Sequence, residues 1–440
     1  MTTFIPDPRL LRSPRGRDWP VLPGPPATVP AVPDRAEVAI VGAGLAGIAV
    51  ASALWHLGVS DVILLDRTGR AGGRFFDRVD TLRQNVLRSP YEHHPGVEGY
   101  RDCELLDFAR LHWSLLNRVE RREIRMAQAG HRSVVPVDVF EAFCRHVTAI
   151  HRIDDRVHQA AVHAVRPGGD TVAVHTDSGA LTARYVVLCL GEERRPAPSS
   201  WWPGSRRPAG VGYWDEPVPP DAESLIVLGA GLSAAHLVAN ALDGGQRVHW
   251  VLREPRERFQ CADVNSSFFR AEGRARFDGV PWTDRLTLMR RQRRASVMFE
   301  FRPLLEDAEA DGRLTVHRGR AVTAVTGKPR GPVSVLLAGE HRVEGDHLAL
   351  ALGTTVSTGD GLLPAGLAGL RDGWPDLDER TLAYRNTSRV FAVGAAAGMV
   401  LGPAARNIDG HRVATARVAA TIAARLSGGP LPRETARSLV

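Results

Sequence analysis

The sequence predicts an α/β fold in which one parallel-sheet nucleotide unit houses a second as an insertion, and three observations carry that prediction. Two glycine turns, Gly42-Ala-Gly-Leu-Ala-Gly47 and Gly229-Ala-Gly231-Leu-Ser-Ala234, each follow a short unbroken apolar run and each open an apolar helical stretch. Such a run is what a strand buried on both faces of a parallel sheet looks like, and a glycine turn is how it enters its crossover helix. Further apolar runs at 347–352 and 390–394 resemble strands that return to the first sheet, so the second unit lies inside the first. The expectation is therefore two Rossmann-like dinucleotide-binding domains, the NADP domain inserted in the FAD domain.

At 440 residues the chain is long enough for two or three domains, and 44% hydrophobic with 24% charged residues is an ordinary globular balance. No uninterrupted apolar stretch reaches the roughly 18 residues of a membrane helix, and the first 20 residues lack the apolar core of a signal peptide, so no membrane and a cytoplasmic location are expected. The net charge of +7 could suggest nucleic acid, but Lys328 is the single lysine. An arginine bias of that kind reads as coding bias, and no nucleic-acid partner is expected. Cys103, Cys144, Cys189 and Cys261 are too far apart for a CxxC redox pair or a zinc ligand set, and no metal is expected.

Residues 1–35, with nine prolines and five arginines, read as an extended arm that either wraps the body or stays free. The first part of the FAD domain is expected over 36–216. It contains helices near 105–117 and 138–150 and a strand-rich meander over 157–191, with turns at Gly168-Gly169 and Ser178-Gly179. The NADP domain is expected over 217–344, the return of the FAD domain over 345–430, and a tail over 431–440.

Each glycine of the first turn has a physical task. Gly42 permits the tight turn, Gly44 lets the backbone approach a pyrophosphate, and Gly47 lets helix and strand pack closely. The strand Val62-Ile-Leu-Leu-Asp66 then ends in a carboxylate 24 positions beyond Gly42. A carboxylate there accepts from a ribose, which suits FAD or NAD and disfavours NADP. The stretch Arg67-Thr-Gly-Arg-Ala-Gly72-Gly73-Arg74 follows at once and reads as the passage of the chain beside an FAD pyrophosphate, or else as a plain surface turn. In the second unit Gly229 and Gly231 recur, Ser233 lies in the turn, Ala234 takes the third glycine's place, and the next strand ends at Arg253, again 24 positions on. A guanidinium at that point suits the 2′-phosphate of NADPH. Glu254 beside it could instead reach a ribose hydroxyl, and Arg256 and Arg258 either assist or are solvated.

These paired turns, the 69–74 stretch, and the strand ends Val187-Leu-Cys-Leu-Gly191, Leu350-Ala-Leu-Gly353 and Val390-Phe-Ala-Val-Gly394 resemble the class B flavoprotein monooxygenases. The flavin-containing and N-hydroxylating branches are the nearest. The resemblance spans about 36–425. It implies FAD and NADPH as cofactors, with Gly191 and Gly394 at the cofactor. It also implies that Asn85, with Gln84 beside it, lies between flavin and nicotinamide, and that His93 and His94 either line the site or are exposed loop residues. The implied activity is transfer of one atom of O2, through a flavin C4a hydroperoxide, to the nucleophilic nitrogen or sulfur of a small molecule, with N-hydroxylation first. The alternatives are an NAD(P)H-dependent flavin oxidoreductase or oxidase without oxygenation, or a non-catalytic flavin sensor.

The chain also departs from those branches. Between Gly191 and Trp214 stand Trp201, Trp202, Tyr213 and Trp214 in place of the usual phenylalanine, glycine and histidine spacing, and the late strand reads Gly394-Ala395 where many FAD reductases have glycine-aspartate. The segment 261–269 loosely resembles a loop of the N-hydroxylating enzymes. The run Arg290-Arg-Gln-Arg-Arg294 reads as a solvated helix face, and Arg118, Arg121, Arg122 and Arg125 read as the wet outer face following an apolar helix. Self-association to a homo-oligomer is left open.

Overall fold

The computed structural model describes residues 7–20, 30–202, 204, 206–261, 271–292, 294–329 and 331–430. The first sheet is built on β1 (Arg35–Val41), whose residues Val38 to Val41 are all buried. Its neighbour β2 (Val62–Asp66) runs parallel, Val38 opposite Val62. Between them runs α1 (Leu45–His56), almost wholly buried and rich in alanine, packed under the C-terminal helix of the chain. Two glycines of this turn are enforced by backbone: a Cβ on Gly42 would stand 2.5 Å from the Cys189 carbonyl oxygen, and one on Gly47 would stand 2.1 Å from that of Gly42.

The sheet continues outward through β3 (Val157–Gln159) and inward through the meander β4 (Val162–Gly168), β5 (Thr171–Thr176) and β6 (Gly179–Leu188), in the order β3-β2-β1-β6-β5-β4. The last three residues of β6 take a further parallel strand from the end of the chain, 390–392, beside 186–188. This return strand and the meander match the expectation.

The second sheet corrects it. The strand 347–350 does not return to the first sheet. It lies between the strands 211–213 and 224–228 in a five-stranded, all-parallel sheet with 247–251 and 314–317. Strand 211–213, expected in the first domain, belongs here as well. A hydrophobic run states only that a strand is buried, not which sheet buries it. A three-stranded antiparallel sheet over 322–345 covers one side of the second sheet, with Val325, Val333, Val335 and Leu337 buried beneath it. The crossings between the two domains are themselves paired: β7 (Glu192–Arg194) runs antiparallel to the strand 354–356.

Two helical expectations are refined. The stretch 105–117 is a helix, Leu105–Leu111, and a 3-10 turn at Trp113–Leu115. A separate helix, Arg118–Gln128, follows from a capping box, in which the Asn117 side chain accepts from Val119 and Glu120 N–H while Glu120 accepts from Asn117 N–H. Arg121 and Arg125 stack over Trp113, and Arg122 pairs with Asp7, so these arginines have contacts of their own. The helix at 138–150 is present as Val137–Ile150.

The described part of the arm wraps the body. Leu10, 1% exposed, sits in the core around the second sheet, whereas Trp19 sits in the core of the first. Trp19 Nε1 donates to Asp138 Oδ2 at 2.7 Å, Gly16 N–H donates to Asp138 Oδ1 at 2.7 Å, and Arg12 pairs with Asp243 at 2.7 Å.

Candidate nucleotide and active site

One cleft of about 1980 Å³ opens between the domains. A single small-molecule site takes roughly 300–1000 Å³, so there is room for two large groups and more. In the second sheet its wall follows the C-terminal ends of the strands 224–228, 247–251 and 347–350, where ligands of open α/β sheets bind. The first domain contributes Leu45 at the start of α1, Phe75, Gln84, Leu87 and Arg88, and the second contributes the whole turn from Gly229 to Ser233 with Arg253 and Glu254.

The two glycine turns are built alike. A Cβ on Gly229 would stand 2.2 Å from the Ala351 carbonyl oxygen, just as Gly42 faces that of Cys189. Gly44 and Gly231 have open space around the Cβ position, or nothing nearer than 3.9 Å, and each precedes a helix with no side-chain cap. An unfilled space at an uncapped helix N-terminus is what a pyrophosphate requires. Ala234, fully buried, shows that the third glycine of this turn can carry a methyl group.

Asp66 ends β2 as a fixed acceptor. Its Oδ1 accepts from Thr68 N–H at 2.8 Å and Thr68 Oγ1 at 2.7 Å, and its Oδ2 accepts from Ala43 N–H at 2.9 Å. Oδ2 keeps one acceptor position for a ribose hydroxyl. The 69–74 stretch does pass beside the first turn, since Gly72 N–H donates to the Ala43 carbonyl at 2.7 Å, and Gly73 is buried. Within it, Arg74 is not free for a cofactor: its guanidinium makes a bidentate pair with Glu193 on β7, which lowers the Glu193 pKa. Arg67 is exposed, Gly191 has φ 66° with open space around it, and Gly394 has φ 92°.

The residues expected at the reaction centre separate. Gln84 is buried and lines the cleft, its Nε2 donating to the Val86 carbonyl at 2.9 Å. Asn85 is turned away: its Nδ2 donates to the Leu11 carbonyl at 2.9 Å, and it is no part of the cleft wall. The two are adjacent in the short connection between the left-handed Arg83 and the strand 86–87, and their side chains take different partners. His93 and His94 are neither wall residues nor exposed. Both are buried, His94 Nε2 lying 2.9 Å from Glu104, and burial pushes the His93 pKa down to about 4.

Sequence reasoning missed the opposite wall. The C-terminal helix, Ile408–Leu426, starts at the cleft with no side-chain cap, and Asn407, Ile408 and His411 line it. Asn407 Nδ2 and His411 Nδ1 are buried without a hydrogen-bond partner, and burial holds the His411 pKa at about 4. The unpaired Asn407 amide donor and the free helix N–H groups fit an acceptor-rich ring such as the flavin. An asparagine before an apolar helix was a legible cap signal, but not its position on the cleft.

Trp201 and Trp214 line the cleft, the latter beneath the Arg78 guanidinium at 5.0 Å, and the 290–294 run contributes Arg290, Gln292 and Arg294 to its wall rather than lying wholly on a solvated face. Arg253 is exposed into the cleft with no ion pair among the described residues, whereas Glu257 is held by Arg318. The loop 261–269 lies, beyond Cys261, outside the described residues. Cys103, set aside on sequence spacing, lies against two histidines, His56 and His151.

Residues 39–193 match a family model described as FAD-NAD(P)-binding. A 40-residue segment is 48% identical to polyamine oxidase 6 of Oryza sativa subsp. japonica, which is 9% of this chain and 8% of that protein. The whole architecture is similar to the ornithine N-hydroxylase of Kutzneria sp. 744, solved with reduced FAD, NADP+ and L-ornithine, at TM-score 0.70 and 17% identity over 89% of this chain and 100% of that one. It is also similar to the FAD-bound cadaverine monooxygenase of Erwinia amylovora, at TM-score 0.69 and 16% identity over 91% and 96% of the chains. The chain therefore has the two-dinucleotide-domain fold of the N-hydroxylating flavoprotein monooxygenases, with an FAD-NAD(P)-binding first domain.

Proposed function

We propose that the protein is an NADPH- and FAD-dependent monooxygenase that hydroxylates an amine nitrogen of a small molecule. The observation that carries this reading is one cleft lined by Leu45 of the first glycine turn, by the whole second turn, by Gln84 and by the unpaired polar groups of Asn407 and His411. A hydride donor and a flavin must meet in one space, and here residues of both turns reach the same one. The fold's occurrence in ornithine and cadaverine monooxygenases supports an amine over a sulfur nucleophile.

FAD, when bound, supplies the chemistry: it accepts the hydride, activates O2 and delivers one oxygen atom. The chain's residues bind, orient and exclude water. The α1 N-terminus at Gly44 and the remaining acceptor position of Asp66 suit the pyrophosphate and adenosine ribose. Arg253 suits the 2′-phosphate of NADPH, and Gly231 lets the second pyrophosphate approach the helix Leu232–Asp243. Gln84 and Asn407 are the polar groups that orient rings in the cleft. Phe75, Leu87, Trp201 and Ile408 supply apolar wall, which limits water at the point where an activated oxygen would otherwise be lost as hydrogen peroxide.

Purified protein loaded with FAD should consume O2 with NADPH, faster when a panel of diamines and basic amino acids is added, with hydroxylamine product in near-equal amount to NADPH used. Stoichiometric hydrogen peroxide with every amine, and no hydroxylamine, would instead establish the oxidase reading.

A further inference from the structure

At the far end of α1 from the glycine turn, three side chains from distant parts of the chain converge. His56 is the last residue of α1, His151 caps the C-terminus of the helix Val137–Ile150, and Cys103 ends a 3-10 turn at Arg101–Cys103. His56 Nε2 and His151 Nε2 are 3.0 Å apart, and Cys103 Sγ lies 3.7 Å from the first and 3.6 Å from the second. Cys103 and His151 are 1% and 2% exposed, and His56 is half-buried. Among the described residues these are the only three such groups whose ligand atoms gather this closely.

We propose that this triad is a binding site for a divalent zinc-class ion. Around tetrahedral Zn²⁺, with bonds of about 2.05 Å to nitrogen and 2.3 Å to sulfur, two nitrogens stand about 3.3 Å apart and a nitrogen and a sulfur about 3.6 Å. The three separations match one face of that tetrahedron to within a few tenths of an ångström. Two imidazoles and a thiolate are the donor set of borderline-soft ions such as zinc, and hard cations such as Mg²⁺ or Ca²⁺ take oxygen ligands. Both histidines also sit at helix C-termini, where the partial negative charge of free carbonyls favours a cation. Binding replaces the Cys103 S–H bond with a metal–sulfur bond and releases one proton to solvent. Water takes the fourth position, and the Tyr100 ring, tilted 38° with its centroid 3.9 Å from that of the His56 imidazole, covers part of the site.

With 12 residues at 1.5 Å each, α1 places this site roughly 18 Å from the nucleotide turn, so it is separate from the nucleotide cleft. The ion would tie the 97–104 segment to the ends of two core helices. That segment continues the chain from Arg88 and Ser89 in the cleft wall.

The test uses full-length protein carrying FAD, kept reduced, stripped with a chelator and titrated with Co²⁺ and then Zn²⁺. One Co²⁺ per chain is expected, with the intense visible bands of a tetrahedral site and a near-ultraviolet thiolate-to-cobalt band, both abolished by Zn²⁺. Cys103→Ser should lose the thiolate band, and His56→Ala, at the half-buried position, should keep its FAD and bind Co²⁺ at least about tenfold more weakly. Zn²⁺ should raise the melting temperature of the wild type and not of His56→Ala. A weak octahedral spectrum without the thiolate band, or equal Co²⁺ binding by wild type and His56→Ala, would overturn the proposal.

Discussion

At the scale of single residues, the site is set by which polar groups are already used within the protein. Arg74 and Arg253 are both arginines beside a nucleotide turn, yet Arg74 is tied to Glu193 and Arg253 has no ion pair among the described residues. Only the second is available to a 2′-phosphate. A hydrogen bond to a charged group contributes about 1.5–3 kcal/mol, roughly a 10- to 150-fold preference. Arg253→Ala should therefore bring the ratio of kcat/KM for NADPH over NADH close to one, measured by flavin reduction in stopped flow. An unchanged ratio would mean that Arg256 or Arg258 does the work.

At the scale of elements, the arm changes what Asn85 means. Its amide holds the Leu11 carbonyl, so it fastens the strap that Leu10 and Trp19 anchor in the two cores. Asn85→Ala should lower stability by about 1 kcal/mol while leaving the rate of flavin reduction within about twofold of wild type. Asp138→Ala should go further, because Trp19 Nε1 and Gly16 N–H both lose their acceptor, and a loss of about 2–4 kcal/mol is expected in urea unfolding. A large drop in reduction rate for Asn85→Ala at normal stability would return that residue to the reaction centre.

For the whole molecule, the balance of buried ionisable groups makes stability pH-dependent. Burial holds His93 and His411 at about 4 and His236 at about 3. An unfolded histidine titrates near 6.5, so below that pH the unfolded state binds protons that the folded state refuses. The stability these groups contribute is complete above about 6.5 and is lost as pH falls toward 4, each adding at most about 1.4 kcal/mol per pH unit. Glu193, lowered by Arg74, acts in the same direction but later: its contribution is present above the ordinary carboxylate range and is lost only as pH falls through its folded value. Urea midpoints should thus decline steadily from pH 7 to pH 4, and a flat profile would contradict the burial of these histidines.

The sequence by itself determined the two nucleotide units, because each is a local pattern: a buried strand, a glycine turn and a helix contiguous in the chain, with Gly42, Gly47 and Gly229 demanded by carbonyls that a Cβ would strike. It also placed Asp66 at a strand end by counting, whereas Arg253 lies two residues beyond the end of its strand, Arg247–Val251. Only the tertiary structure decided the sheet of strand 347–350, because an apolar run is equally buried in either sheet. It also decided the facing of Gln84 and Asn85, since the partner that takes the Asn85 amide, the Leu11 carbonyl, lies 74 positions away in the chain. The wall formed by Asn407 and His411 joins residues more than 300 positions from the first turn, and the triad of His56, Cys103 and His151 joins helix ends that have no fixed spacing. Long-range proximity of this kind comes from packing, and spacing along the chain carries no record of it.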